Sequence, residues 1–272
     1  MQDPSGATKG IPLGKTSDYP KAYSPDVLYP IARAENRARL GLGDILPFHG
    51  TDLWTAWELT WLTPSGKPAV AAAEIGVPAD SPNIIESKSL KLYLGALAMT
   101  TVQGEQELIA LLRKDLSAAA GAPVSVALGY GAPVEALPGE TLDNEEVDCS
   151  AYSVDAGLLH AEDTRTVTET VHSQLLRSLC PVTAQPDFGS VTIRYRGPRI
   201  DRAGLLRYIV SFREHNDFHE ACVERMFMDI KTRCRTERLS VYARYLRRGG
   251  LDINPFRSDF EPAPENARLW NQ

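Results

Sequence analysis

The feature that most constrains this chain is a repeated order of elements. Two halves each read strand, strand, helix, helix, strand, on either side of a connection rich in Pro, Gly and Asp around residues 131–150. In the first half, residues 53–62 and 68–75 have strand patterning and are joined by a turn through Pro64, Ser65, Gly66 and Lys67. A helix is expected from about 89 to 97, with Leu90, Leu94 and Leu97 on one face, and a second over 105–120 gathers Leu108, Leu111 and Leu112. Residues 123–128 then return as a strand. In the second half, residues 166–175 and 190–195 alternate as strands, the latter closed by a turn at Gly197 and Pro198. Helices over 201–212 and about 217–231 follow, and a strand over 239–245 ends the unit. Helices gathered on one face of an antiparallel sheet make an α+β fold. The opposite face then needs a partner surface, either the other half or a second subunit.

The length permits this division, since 272 residues suffice for two ordinary cores. The division expected is a lead-in over 1–50, a first module over 51–145 and a second over 146–272. The lead-in has little periodicity and reads as a surface-hugging segment without a core element. A hydrophobic content of 43% with 24% charged residues is ordinary globular usage. The formal charge of -6 gives no electrostatic footprint for bulk nucleic acid or an acidic membrane, so an anionic ligand must be met by a local basic pocket. No apolar run approaches the roughly 18 residues of a membrane span. Cys149, Cys180, Cys222 and Cys234 form no CxxC pair, and the amino-terminal residues do not read as a secretory leader. Reduced thiols in a cytoplasm are expected.

Four places carry candidate chemistry. Cys180 opens a segment running to Ser190 in which Pro181 and Pro186 fix two φ angles, so a loop could present Cys180 and Asp187 with little freedom. A thiolate there could attack an electrophilic carbon and a carboxyl group supply the proton. A buried Cys beside a turn-capping Asp is the plainer alternative. His219 and Glu220 stand at the start of a late helix, off the stripe of Phe218, Cys222, Met226 and Ile230. Glu220 could accept hydrogen bonds from an N–H-rich heterocycle, or it could close a capping box on Asp217. His215, His219 and Cys222 have the spacing of metal ligands, but nothing obvious besides Cys180 could complete a tetrahedral set, and no metal is expected.

The other two places are basic. Glu86-Ser87-Lys88-Ser89 with Lys91 opens the first helix, where hydroxyls, lysines and free amides suit a phosphate, although neither a P-loop nor GxGxxG is present. A capped, solvated helix end is the alternative. Arg244, Arg247 and Arg248 precede Gly249 and Gly250, which permit close approach by a ligand, though an edge strand also carries arginines for solubility.

These motifs, with the run Arg247-Arg248-Gly249-Gly250-Leu251-Asp252-Ile253-Asn254-Pro255, resemble the NADPH-dependent 7-cyano-7-deazaguanine reductases, the nitrile reductases of queuosine biosynthesis, in their long two-module form. The resemblance covers most of the chain beyond about residue 50. It implies the tunnelling fold (T-fold), with two tandem ββααββ-type modules of antiparallel sheet, and a cytoplasmic homodimer. It implies NADPH as cofactor, a free deazapurine base as substrate, and no direct contact with nucleic acid or membrane. By the same resemblance Cys180 is the nucleophile that forms a thioimide, Asp187 the acid, and His219 a residue of substrate and proton handling. Glu86 and Glu220 recognise the base. Ser87, Lys88, Ser89, Lys91, Arg248 and Gly249 are the cofactor candidates. Phe188 stands where many members carry Trp, and Ala184 where a small or hydroxyl residue is expected. Two alternatives share the fold: a metal-dependent cyclohydrolase-like enzyme, and a non-catalytic module that binds purine-like ligands.

Overall fold

The computed structural model describes residues 20, 22–129 and 133–272, with backbone alone at 163 and 164. Residues 1–19 and 21 of the expected lead-in, and residues 131 and 132 of the expected connection, lie outside the described residues. In chain order the elements are β1 (Pro30–Ala32), α1 (Ala34–Arg39), β2 (His49–Leu62), β3 (Pro68–Pro78), β4 (Asn83–Ile85), α2 (Ser87–Ala96), α3 (Glu105–Ala120) and β5 (Ser125–Gly129). There follow β6 (Glu140–Thr141), β7 (Ala161–Leu179), β8 (Pro186–Ile200), α4 (Arg202–Ser211), α5 (His219–Cys234), β9 (Arg238–Tyr245) and β10 (Leu251–Ser258). The fold is mixed α+β with largely antiparallel pairing. The order of elements follows the sequence pattern, with β1, α1, β4, β6 and β10 added to it.

The chain divides into two compact units. The described residues of the first fall within Met1–Glu35, Trp54–Gly131 and Arg248–Leu251. Its strands run β5, β3, β2, and β1 pairs separately with β4, antiparallel. Helix α3 forms because Leu108, Leu112, Leu116 and Ala120 recur every four residues, and all four are fully buried. Leu90 and Leu94 of α2, with Leu97 at its C-cap, are buried as their spacing predicts.

The second unit comprises Asn36–Leu53, Ala132–Arg247 and Asp252–Gln272. Its strands run β10, β9, β8, β7, β6, with only β6 and β7 parallel. Cys222, Met226 and Ile230 of α5 pack with Tyr208 and Phe212 against Val191, Ile193, Val241 and Ala243 of the sheet. Phe48 belongs to this core, so residues expected to form a coreless lead-in contribute to it.

A two-for-one bulge in β7 positions the site. Ser173 pairs with Val191 and Leu176 with Gly189, so Gln174 and Leu175 oppose Ser190 alone. Before the bulge the odd residues Val171 and Ser173 face the core; after it the even residues Leu176, Ser178 and Cys180 do. The extra residue therefore turns Cys180 inward.

A second departure concerns Gly197 and Pro198, expected to form a turn. They lie within β8, paired with Val167 and Thr166. Glycine is required there by close approach, since a Cβ would sit 2.9 Å from the Thr236 Cα.

Candidate active site

Cys180, Asp187, His219 and Glu220 all belong to the second unit. The segment expected to be a loop up to Ser190 is shorter: β8 begins at Pro186, so Asp187 is already in a strand and pairs with Ser178. The Cys180 amide donates to the Gln185 carbonyl at 3.0 Å and the Ala184 amide to the Cys180 carbonyl at 3.0 Å, closing a tight connection with Ala184 at φ +53°. Alternation along β8 then buries Asp187 and turns Phe188 outward, 48% exposed.

The same hairpin is tied to the start of α5. The Leu179 amide donates to the His215 carbonyl at 2.8 Å, and its carbonyl accepts from the Asp217 amide at 3.1 Å. This fixes the residue before Cys180 against the segment that leads into His219. The His219 Nε2 lies 3.1 Å from Asp187 Oδ1, where Asp187 is buried and His219 partly so. Behind the imidazole, the Tyr245 ring stacks at 3.9 Å between centroids, the planes 11° apart. Cys180 is itself buried, at 8% exposure. The thiol, a carboxylate–imidazole pair and the Glu220 carboxylate thus come from a hairpin end and one helix start.

The capping box offered as the alternative role for Glu220 would need Asp217 as N-cap, which it is not. The N-cap is Phe218, without a side-chain cap bond, and Glu220 is the second helical residue rather than the third. Asp217 Oδ1 instead accepts from the Phe218 amide at 2.9 Å and from Asn36 Nδ2 at 3.2 Å. Glu220 is buried within the first turn, where the helix dipole favours a carboxylate. Burial, with Arg225 and Arg39 adding to it, depresses the pKa of His215 to about 4, so it is neutral near pH 7. Burial pushes the Cys222 thiol and the Tyr245 phenol well up, so both stay protonated. Among the described residues, no cluster of three His, Cys, Asp or Glu side chains could hold a metal ion.

Glu86, Ser87, Lys88, Ser89, Lys91, Arg248 and Gly249 lie in the first unit. The β1–β4 pair leads directly into α2, with the Glu86 amide donating to the Tyr29 carbonyl at 2.9 Å. Glu86 is the N-cap of α2: its oxygens accept from the Lys88 amide at 2.7 Å and the Ser89 amide at 2.8 Å. Ser89 is fully buried, donating its hydroxyl to the Glu86 carbonyl and accepting from the Tyr29 amide at 3.0 Å. The amides expected to face a phosphate are therefore held by a carboxylate, and the Ser89 hydroxyl is used in joining β1 to α2.

Lys91 and Gly249 do meet. With Gly250, Glu58, Leu94, Gly95 and others they line a cavity of about 180 Å³ within this unit. Gly249 and Gly250 have φ of +57° and +80°, and a Cβ on Gly249 would stand 3.4 Å from the Lys91 stem. This is a cradle that side chains would fill. Arg244, part of the expected basic cluster, belongs to the second unit and is buried. Its guanidinium bonds to Gln272 Oε1, Tyr242 Oη and Asn266 Oδ1.

Sequence reasoning missed Tyr245 and the bulge in β7. A Tyr ending a strand carries no signal of the ring it will meet. The broken alternation after Ser173, by contrast, was visible in the sequence.

A family profile described as nitrile reductase, 7-cyano-7-deazaguanine-reductase N-term, matches residues 19–128. One described as QueF-like protein matches residues 186–264. A protein of Burkholderia lata named NADPH-dependent 7-cyano-7-deazaguanine reductase is 54% identical over 268 residues, 96% of this chain and 98% of that protein. A protein of the same name from Burkholderia multivorans is 53% identical over the same extents. The solved apo structure of an archaeosine synthase QueF-Like shares 16% identity and a TM-score of 0.31, covering 36% of this chain and 96% of that one, too slight a likeness to argue from.

Proposed function

We propose a division of labour within a known reaction: the chain belongs to the NADPH-dependent 7-cyano-7-deazaguanine reductases, and Cys180, Asp187 and His219 carry its chemistry. The enzyme is an oxidoreductase that reduces a nitrile with NADPH. The observation that carries the assignment is the 3.1 Å contact between His219 Nε2 and Asp187 Oδ1 beside the hairpin that holds Cys180.

In this reading the Cys180 sulfur adds to the nitrile carbon, and the nitrile nitrogen gains a proton from the Asp187–His219 pair, giving a thioimide. Two NADPH, bound one after the other, would each supply one hydride. After the first, with a proton to nitrogen, the carbon bears an amine and the Cys180 sulfur. Departure of the thiolate leaves an imine, and the second hydride with another proton gives the primary amine. Asp187 and His219 hold and deliver the protons, while the buried site slows loss of the imine to water. Glu220 recognises the deazapurine N–H edge. Glu86 contributes through the lone pairs its capping bonds leave free, because each carboxylate oxygen can accept twice.

The fit of NADPH rests on the Lys91–Gly249 cradle. Lys91 would hold phosphate charge there, Ser87, Lys88 and Arg248 stand as further candidates that do not line the cavity, and Ser89 would serve by fixing the helix start. The tunnelling fold, with modules over 51–145 and 146–272, a lead-in over 1–50, a homodimer and a cytoplasmic location complete the reading. Support for the fold comes from two units that each join antiparallel strands to two long helices.

The test is intact-mass measurement after mixing the protein with 7-cyano-7-deazaguanine before NADPH is added. A gain equal to the whole base, absent in Cys180→Ala, is expected, with two NADPH then consumed per amine. Near-normal turnover by Cys180→Ala would overturn the covalent route.

A further inference from the structure

The imidazole of His219 is constrained in two independent ways. Its Nε2 contact with Asp187 fixes one direction within the ring plane. The Tyr245 ring, parallel to within 11° and 3.9 Å away, fixes the plane itself. The remaining nitrogen, Nδ1, is buried and makes no hydrogen bond among the described residues. With the plane and one vertex set, the direction of Nδ1 follows.

This stacking differs from the other aromatic contacts of the protein. Phe48 meets Phe227 at 73°, Tyr208 meets Phe212 at 88°, Phe212 meets His215 at 85° and Tyr242 meets Phe256 at 84°. Aromatic rings favour both edge-on and offset-stacked contact, so which of the two forms is decided locally, and this is the one parallel contact among the described residues. The cause lies in how Tyr245 is held. It ends β9, opposite Gly189 of β8, and a Cβ on Gly189 would stand 3.0 Å from its Cδ1. Its amide donates to Asn254 Oδ1 at 3.2 Å and its carbonyl accepts from Gln272 Nε2 at 3.0 Å. The ring is fully buried, and its hydroxyl sits near Ser178 and Cys222 without a well-formed hydrogen bond. The backbone and the glycine opposite, rather than the hydroxyl, set the plane of the ring.

We propose that Tyr245 is a positioning residue for the reduction: its ring is the platform that orients His219 toward the substrate. The proposal rests on the reading of His219 given above. A displacement of about 1 Å in a reacting group can cost about a hundredfold in rate. Loss of the platform should therefore appear in kcat, whereas binding of the base, assigned to the carboxylates, should change little.

The experiment compares Tyr245→Leu, Tyr245→Phe and Gly189→Ala with the native enzyme, each also in a His219→Ala background. Tyr245→Leu should lower kcat about tenfold to a hundredfold with KM nearly unchanged. Tyr245→Phe keeps the ring and should recover most of that loss. Gly189→Ala, which pushes on the ring without altering it, should lower kcat several-fold. None of the three should slow His219→Ala further, because a residue acting through His219 has nothing left to act on. A purely structural role would add its loss in both backgrounds. In the native protein, NMR of the imidazole should show His219 ring protons shifted upfield by the Tyr245 ring current, a readout that needs no variant to fold. Native-like kcat in folded Tyr245→Leu, or equal losses in both backgrounds, or an unshifted His219 spectrum overturns the proposal. A native-like kcat in His219→Ala alone overturns instead the reading of His219 on which it rests.

Discussion

The side-chain amide of Gln272 reaches into the second unit and donates to the backbone carbonyl of Tyr245 at 3.0 Å. The same amide nitrogen donates to Asn254 Oδ1 at 3.0 Å, and its oxygen accepts from Arg244 Nε and the Leu269 amide, each at 3.1 Å. Four buried polar groups thus share one side chain. Gln272→Ala removes a partner from each and should cost about 1–3 kcal/mol. Urea unfolding should show a lower midpoint at unchanged slope, and an unchanged midpoint would contradict this account.

Glu86 joins a helix cap to a site assignment, and two substitutions separate these roles. Glu86→Ala removes the acceptor for the Lys88 and Ser89 amides and should destabilise the protein by about 0.5–2 kcal/mol. Glu86→Gln keeps one acceptor oxygen and should lose less stability, yet should still raise KM for the base because its charge is gone. If Glu86→Gln keeps a native KM, the residue is a cap alone.

A four-membered ion network is buried in the second unit. Arg257 Nη1 bonds to Asp52 Oδ1 at 2.7 Å and its Nη2 to Glu224 Oε1 at 2.9 Å, while Arg37 Nη2 reaches Glu224 Oε1 at 2.8 Å. The charges balance, two against two, and burial makes each member depend on the others. Removing one leaves a buried charge uncompensated, so Glu224→Leu should cost about 3–5 kcal/mol. Chemical denaturation of the folded variant measures this; a loss under about 1 kcal/mol would mean that water reaches the network.

The depressed pKa of His215 sets a pH dependence of stability. Its folded value of about 4 lies below the ordinary 6.5, so between these values the unfolded chain binds the extra proton. Stability from this group is complete above about pH 6.5 and falls progressively as pH drops toward 4, by up to roughly 3 kcal/mol. Burial raises the pKa of Asp217, whose contribution runs the opposite way, falling as pH rises above 3.8. Comparing native protein with His215→Phe isolates the histidine. The variant should show a flatter stability profile between pH 6.5 and 4, and parallel profiles would refute the assignment.

The pattern of residues was enough to read the long elements, and the reasons are particular. The expected bounds of helix α3, 105–120, match the structure, and of the leucines gathered on its face Leu108 and Leu112 are buried while Leu111 is partly so. Strand β7 was expected to end at residue 175 because the bulge breaks its alternation there, so its last residues, which deliver Cys180, were read as loop. β1 and β4 are three residues each, too short for periodicity to register. At the candidate site, Cys180, Asp187 and His219 were named from motifs, and the structure adds how they are held. The partner of Glu86 was illegible for another reason: in a Glu-Ser-Lys-Ser run the hydroxyls look like the cap, while the carboxylate before them takes the amides.

The buried ion network also bears on how the protein can be made. Its members lie at positions 37, 52, 224 and 257, so the helix that bears His219 and Glu220 also bears a carboxylate whose counter-charges come from both distant ends of the sequence. As the chain leaves the ribosome, residue 224 emerges before residue 257. Until then the helix cannot settle into its final environment without an unbalanced negative charge. Completion of the network in the second unit is thereby deferred until residue 257 is available.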